Sequence, residues 1–446
     1  MCIFAALRNI YRIFNTLNMN YQALTHKIYG NGLFKDSVLT LLGNALGKGL
    51  TVLSGIIVAR LLGKDVYGEF GLLRNTLLVI AVFSTMGLGY TATVFVAETK
   101  QKSQETLRSL IYIIESITVC FSGVISILFF VFANSIAIFL EDAKLEPPLR
   151  LLSVIILFNA ITTSQAGILA GMKRFKGMSL VNIVSGVLNF LLTCGMTAIY
   201  GFEGALIALL VSQIINCLLN SLLLNNSLKL YSPIVKFSKE RTISLLKMSI
   251  PVALQELSSS FGHWALSIVL LKISNYGEMG MVSAAGQWVA ILLFVPISLK
   301  NVTLSYMTNA DVNSFTIMRR MLGFNLVVTL IPTFLILLLH RYFDLLYGQT
   351  FHDVGYVISL AGMYVTVNSM FSVFSSEYMA RKMNWILYAI NLSRDIFRIP
   401  ILLLLVMLYS VRGAYANYIT CFITEIFAVL VCYIILRHKK TKFLSA

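Results

Sequence analysis

Between residues 384 and 409 an otherwise apolar run carries Asn391, Arg394, Asp395 and Arg398. At 100° per residue these four fall within an arc of about 100° on a helix, so they form one polar stripe. Arg394 and Arg398 stand one turn apart. Two planar guanidinium groups at that spacing fork onto neighbouring oxygens of a phosphate or pyrophosphate, which lysine engages only as a point charge. The other reading of the stripe is an internal ion pair, Asp395 with Arg398 or Arg394, which still leaves one arginine uncompensated within the helix. Lys48, in Gly43-Asn44-Ala45-Leu46-Gly47-Lys48-Gly49, is a third candidate cation; its glycines permit close helix approach or a local break. Glu256, Ser260 and His263 recur at i, i+4 and i+7 on one helical face, and Glu425 stands alone in its own apolar run. Glu256, His263, Asp395 and Glu425 are therefore candidates either for carrying a coupling proton or sodium ion or for pairing with the cations.

Residues of this kind need an environment that tolerates them. The chain of 446 residues is 58% hydrophobic and 12% charged, about half the charge content of an average soluble domain. A cytosolic enzyme is excluded. The sequence contains no GxxxxGK[ST] loop, no HExxH and no CxxC, so neither nucleotide hydrolysis nor a metal site has visible machinery, and no cofactor is expected. Energy for any transport has to come from outside the chain, with a proton or sodium gradient as the expected source. The cysteines are scattered through apolar stretches and read as small buried hydrophobes.

Twelve apolar runs approach the roughly 20 residues needed to cross a bilayer: 38–61, 71–94, 109–134, 149–171, 178–200, 203–224, 244–270, 282–305, 320–340, 354–376, 384–409 and 413–436. They are continuously apolar, as at Ile401 to Leu408, so the strict alternation of a membrane β-barrel is missing and the expected fold class is an all-α polytopic membrane protein. A charge at the bilayer centre costs about 2.5–3.5 kcal/mol, so mid-depth charges are expected to face a cavity or a partner. Arg74, Lys300 and Glu115 lie near predicted helix ends and are read as snorkelling or peripheral.

Lys and Arg crowd the connections on the side that holds both ends. The opposite side has only Arg60, Lys64, Lys144, Arg150, Lys272, Arg341 and Arg412, with the acids Glu141, Asp142 and Glu146. By the positive-inside rule both termini are expected in the cytoplasm, and the net charge of +16 is a topology signal rather than a nucleic-acid footprint. Residues 1–36 do not read as a removable signal peptide; an interfacial helix and a start at Met19 both stay open.

Tyr67-Gly68-Glu69-Phe70-Gly71 returns as Tyr276-Gly277-Glu278-Met279-Gly280, each copy opening the second helix of a set of six. Two parallel six-helix lobes around a central cavity follow, with alternating access at their interface. The expected layout is a cytoplasmic segment 1–36, an amino-terminal lobe 37–224, a basic linker 225–243, a carboxy-terminal lobe 244–437 and a cytoplasmic tail 438–446.

The block Val58-Ala59-Arg60-Leu61-Leu62-Gly63-Lys64-Asp65-Val66-Tyr67-Gly68-Glu69, together with Leu246-Lys247-Met248-Ser249-Ile250-Pro251 at the start of the second lobe, resembles the bacterial polysaccharide flippases. These are the O-antigen or Wzx-like translocases of the multidrug/oligosaccharidyl-lipid/polysaccharide exporter superfamily. The resemblance implies a bacterial inner-membrane protein that performs no covalent chemistry. It would move an undecaprenyl-pyrophosphate-linked oligosaccharide from the cytoplasmic to the periplasmic leaflet, in company with membrane lipids and other polysaccharide-assembly proteins. Arg394, Arg398 and Lys48 would then hold the pyrophosphate, and Asn44, Gln255, Ser260, Gln287 and Asn391 are candidates for the sugar hydroxyls. A polysaccharide polymerase or ligase would need a large outer loop, whereas the longest outer connection here is about 14 residues on the predicted spans. A drug or cation exporter of the related branch would want a carboxylate-rich cavity, and a major-facilitator carrier a different connection at Ala97 to Lys102. A scaffold without transport has no need of mid-depth arginines.

Overall fold

The computed structural model describes residues 33–102, 104–228, 239–307, 314–381 and 383–444. The expected segment before residue 33, most of the linker 225–243 and the last two residues of the tail lie outside the described residues. Within them the chain is helical throughout, with no strand. The helices are α1 (Leu33–Thr85), α2 (Leu88–Lys102), α3 (Gln104–Val131), α4 (Ala133–Phe139), α5 (Glu146–Gly171), α6 (Phe175–Leu228), α7 (Lys239–Ile273), α8 (Tyr276–Leu292), α9 (Phe294–Met307), α10 (Ser314–Leu338), α11 (His340–Tyr347), α12 (Val354–Ala380), α13 (Asn384–Leu403) and α14 (Gly413–Leu444). Helices satisfy every backbone group within their own segment, which is why continuous apolar runs adopt them in lipid. Among the described residues, seven helices are long and apolar enough to cross a membrane, or eight when the bent pair α8 and α9 is taken as one span.

Two of the long helices reverse direction at a glycine. Gly63 in α1 has φ 74 and ψ 167, and Gly201 in α6 has φ 57, backbone regions that side-chain-bearing residues avoid. A straight helix would separate Lys48 from Arg74 by about 39 Å at 1.5 Å per residue, yet both line one cavity. Each of these elements is thus a helical hairpin. Pro147 and Pro148 stand in the first turn of α5, where a missing N–H costs nothing.

Outward faces stay apolar. On α10, Val327, Leu330, Ile331, Phe334, Leu335 and Leu338 recur every three or four residues and are all exposed, a face that fits lipid and not water.

The two halves of the chain meet chiefly where α8 packs along α1. The repeated Tyr-Gly-Glu-x-Gly segments lie against each other there. A side chain at Gly68 would collide with the carbonyl oxygen of Tyr276, and one at Gly280 with that of Lys64. Around this crossing, Tyr276 Oη donates to Asp142 Oδ2 at 2.9 Å and Lys272 Nζ meets Glu141 Oε1 at 2.8 Å. Gln287 donates to Tyr67 Oη, and the ring of Phe351 stands edge-on to that of Tyr67 at 6.1 Å. The halves are therefore closed on one another at the end that carries the Gly63 turn. Leu33 and Leu444 mark the opposite end, since α1 runs towards that turn and α14 runs away from Arg412, which is paired with Glu278 and Asp353 at the closed end.

Candidate functional site: a cationic cavity

Below the closed end lies a cavity of about 520 Å³, built almost wholly by the amino-terminal half. Lys48, Thr51, Ser54 and Gly55 come from the first arm of α1, and Tyr67, Phe70 and Arg74 from its second arm. The spacings 48, 51, 55 and 67, 70, 74 are those of residues stacked on one helix face. The first arm of α6 adds Asn182, Ser185, Asn189 and Thr193, again at steps of three and four, and its second arm adds Ser212, Gln213 and Asn216. The carboxy-terminal half supplies Phe294 and Ser298, from the start of α9.

Lys48 and Arg74 are the lining cations, and no carboxylate lines the cavity among the described residues. Both are exposed, and neither has an ion pair among the described residues. Counted from the Gly63 turn, Arg74 lies roughly 16 Å deep and Lys48 roughly 22 Å deep, about one helical turn apart in depth. The snorkelling expected of Arg74 does not hold, because its helix begins directly after Gly63 rather than near residue 71. The guanidinium is therefore some three turns inside the helix and faces the cavity.

The lining is otherwise neutral and hydrogen-bonding. Asn216 Oδ1 accepts from Ser185 Oγ at 3.3 Å and from Asn220 Nδ2 at 3.0 Å, while Thr193 Oγ1 donates to Asn189 Oδ1 at 3.2 Å. Gln213 Nε2 donates outward to Thr162 Oγ1 at 3.3 Å. Accepting bonds through their oxygens leaves Asn189 and Asn216 with amide N–H groups for a guest. Sequence reasoning missed this set because it followed charges; the signal that was present is the three-and-four spacing of Asn182, Ser185, Asn189 and Thr193.

The arginine stripe of α13 is placed elsewhere. Arg394 and Arg398 are buried, at 5% and 0% exposure, in the carboxy-terminal half. Arg394 meets Asp395 Oδ1 through Nη2 at 3.1 Å and Glu425 Oε1 through Nη1 at 3.3 Å. Arg398 meets the same two carboxylates, Asp395 Oδ1 at 3.1 Å and Glu425 Oε2 at 3.3 Å. Asn368 Nδ2 donates to Glu425 Oε1 at 3.0 Å, and Phe371 lies 5.3 Å beneath the Arg394 guanidinium. A guanidinium only donates, so at 3.3 Å from Arg398 Nη1 the imidazole of His263 accepts through Nε2. Two positive and two negative charges thus close on themselves. The expectation of one uncompensated arginine is corrected: the second counter-charge comes from Glu425 on the next helix, which does not stand alone.

The remaining sequence candidates are dispersed. Gln287 is buried against Gly55 and bonded to Tyr67, next to two lining residues but not itself lining the cavity. Glu256 is exposed on α7, Ser260 is half-buried there and Asn391 is half-buried on α13, and none of the three is among the lining residues. The side chains of Asn44 and Gln255 lie outside the described ones. Among the described residues no cluster of His, Cys, Asp and Glu is arranged to hold a metal.

Comparison with known proteins finds similar folds and a matching family. The fold is similar to that of an inward-facing multidrug resistance MATE family transporter of the MOP superfamily, at 15% identity over 90% of this chain and 96% of that one, with a TM-score of 0.73. It is also similar to a MOP superfamily transporter from Pyrococcus furiosus, at 16% identity over 91% and 96%, with a TM-score of 0.67; a reversed polarity of that protein's binding pocket suggests a different function for it. An uncharacterized membrane protein of Methanocaldococcus jannaschii is 22% identical over 284 residues, 59% of this chain and 66% of the relative. The chain thus spans slightly less than two thirds of that relative's length. The model of the polysaccharide biosynthesis protein family matches residues 33–308. A multi-pass membrane chain with a transporter fold, matched over more than half its length, belongs to the polysaccharide biosynthesis protein family.

Proposed function

We propose that the protein flips a lipid-linked oligosaccharide, with an undecaprenyl-pyrophosphate-type anchor, from the cytoplasmic to the outer leaflet of a bacterial inner membrane by alternating access. The observation that carries this reading is the pairing of Lys48 and Arg74 with a wall of neutral amides and hydroxyls and no described carboxylate. An anionic head finds two cations at adjacent depths with no described ion pair, the guanidinium as a planar fork and the ammonium as a point charge. The glycan finds the Asn182, Ser185, Asn189 and Thr193 face of α6, whose groups can donate and accept as sugar hydroxyls require. The polyprenyl tail stays in the bilayer.

The closed end fits loading from the other side. Seven of the chain's positive residues lie on the closed side by the charge count, so the positive-inside rule favours a cytoplasmic placement of the opposite side, and of both termini with it. In this reading Arg394 and Arg398 hold helices together, and the pyrophosphate role passes to Arg74 beside Lys48. A drug exporter for organic cations is disfavoured, since such a guest would meet two like charges and, among the described residues, no counter-charge. Among the described residues no set for polymerase or ligase chemistry lines the cavity.

Reconstitution into vesicles with a fluorescent lipid-linked oligosaccharide, read by leaflet-specific quenching, tests the proposal. Translocation dependent on Lys48 and Arg74 supports it; probe retained in one leaflet under every ion gradient overturns it.

A further inference from the structure

The carboxy-terminal half reaches the cavity at one place only among the lining residues, and that place is a bend between two helices. Helices α8 and α9 meet at a 49° bend, and Phe294 is the first residue after it. Lys48 Nζ lies 5.2 Å from the centroid of the Phe294 ring, inside the range of a cation–π contact. The contact joins α1 to α9, hence one half of the chain to the other. Among the described residues no carboxylate lines the cavity, so the Phe294 ring is the partner that the structure gives the ammonium.

Resting on the flippase reading, we infer that Phe294 is a specificity-determining residue: its ring occupies Lys48 in place of the anionic head, and binding requires the head to take the ammonium from the ring. A phosphate oxygen is the stronger partner, because a charge-assisted hydrogen bond exceeds attraction to a ring quadrupole. A neutral glycolipid offers nothing that outbids the ring and leaves the contact in place. An anionic head removes it, and with it a tether between the halves at the point where α8 and α9 are bent. Occupancy by the right charge and freedom of the halves to move are thereby linked through one side chain.

The test is a double-mutant cycle on the purified full chain, with farnesyl pyrophosphate as the probe and calorimetry as the readout. Phe294→Leu should bind about two- to fivefold more tightly than the wild type, the factor expected for losing one exposed cation–π competitor. Phe294→Trp should bind more weakly, and Phe294→Tyr, which keeps a ring, should match the wild type and controls for folding. In a Lys48→Gln background, itself weaker, Phe294→Leu should have no effect. Unchanged affinity in Phe294→Leu, or the same change with and without Lys48, overturns the inference while leaving the cationic site intact. Wild-type affinity in both Lys48→Gln and Arg74→Gln instead overturns the flippase reading on which it rests.

Discussion

Arg398 on α13 and Glu425 on α14 face each other with Nη2 and Oε2 3.3 Å apart, both at 0% exposure. A charge so deep is tolerated only when its counter-charge is equally deep, and Asp395 completes the balance from within α13. These residues join α7, α12, α13 and α14 through His263, Asn368 and Thr424, so the cluster is a fastening for the carboxy-terminal half.

Arg398→Ala should therefore lower stability by about 3–5 kcal/mol, because it strands Glu425 as a buried and partly uncompensated charge. Glu425→Ala should do the same to the arginines. Arg398→Met combined with Glu425→Leu should recover much of the loss, since an apolar pair of similar volume needs no counter-charge. Thermal unfolding in detergent measures all three. A stable Arg398→Ala protein that has lost only farnesyl pyrophosphate binding would return the pyrophosphate role to α13.

The membrane fold was legible in the sequence because lipid enforces it: continuous apolar runs can only become helices, and the Gly63 motif was visible as the link between two of them. The candidate site was less so. Arg394, Asp395 and Arg398 stood out as a stripe, but a stripe does not say which helix faces it, and the proximity of Glu425 arises only from packing. Arg74 looks peripheral when the apolar run is taken to start at 71, but polar Lys64, Asp65 and Glu69 already belong to the helix that begins at 64, seven residues earlier. The amides of α6 carry no charge and so gave no cost to be explained. What decided the cavity was which faces turn inward at two glycine hairpins.

Arg74→Gln and Lys48→Gln should each weaken farnesyl pyrophosphate binding about 10- to 100-fold, the range for losing a charge-assisted bond of roughly 1.5–3 kcal/mol. Neither should change the unfolding temperature much, since both side chains are exposed to the cavity. Arg74→Lys should recover only part of the affinity, because the charge returns without the planar fork. Equal affinity for lysine and arginine at position 74 would rule out a bidentate grip.

Closure at the Gly63 end depends on helices approaching to backbone contact. Gly280→Val places a branched side chain against the carbonyl of Lys64, so the inserted protein should hold its halves apart there and fail to transport. A cysteine at Tyr67, which sits under the crossing at 2% exposure, should then react with a membrane-impermeant maleimide added from the closed side. Full transport by Gly280→Val, or an unreactive cysteine in it, would mean that the crossing is not a gate.

The neutral wall of α6 should discriminate by glycan rather than by charge. Asn189 and Asn216 have their amide oxygens occupied by Thr193, Ser185 and Asn220, which orients each amide and leaves its N–H groups to the cavity. Asn189→Ala and Asn216→Ala should thus leave binding of bare farnesyl pyrophosphate unchanged, since the cations that hold it are untouched. Binding of the same pyrophosphate carrying an oligosaccharide should fall about 5- to 10-fold in each variant, the effect of losing a net hydrogen bond of roughly 1–1.5 kcal/mol. Calorimetric titration of both lipids against both variants separates the two contributions. A parallel loss for the bare and the glycosylated lipid would show that the asparagines shape the cavity without reading the sugar, and the glycan would then have to lie along another wall.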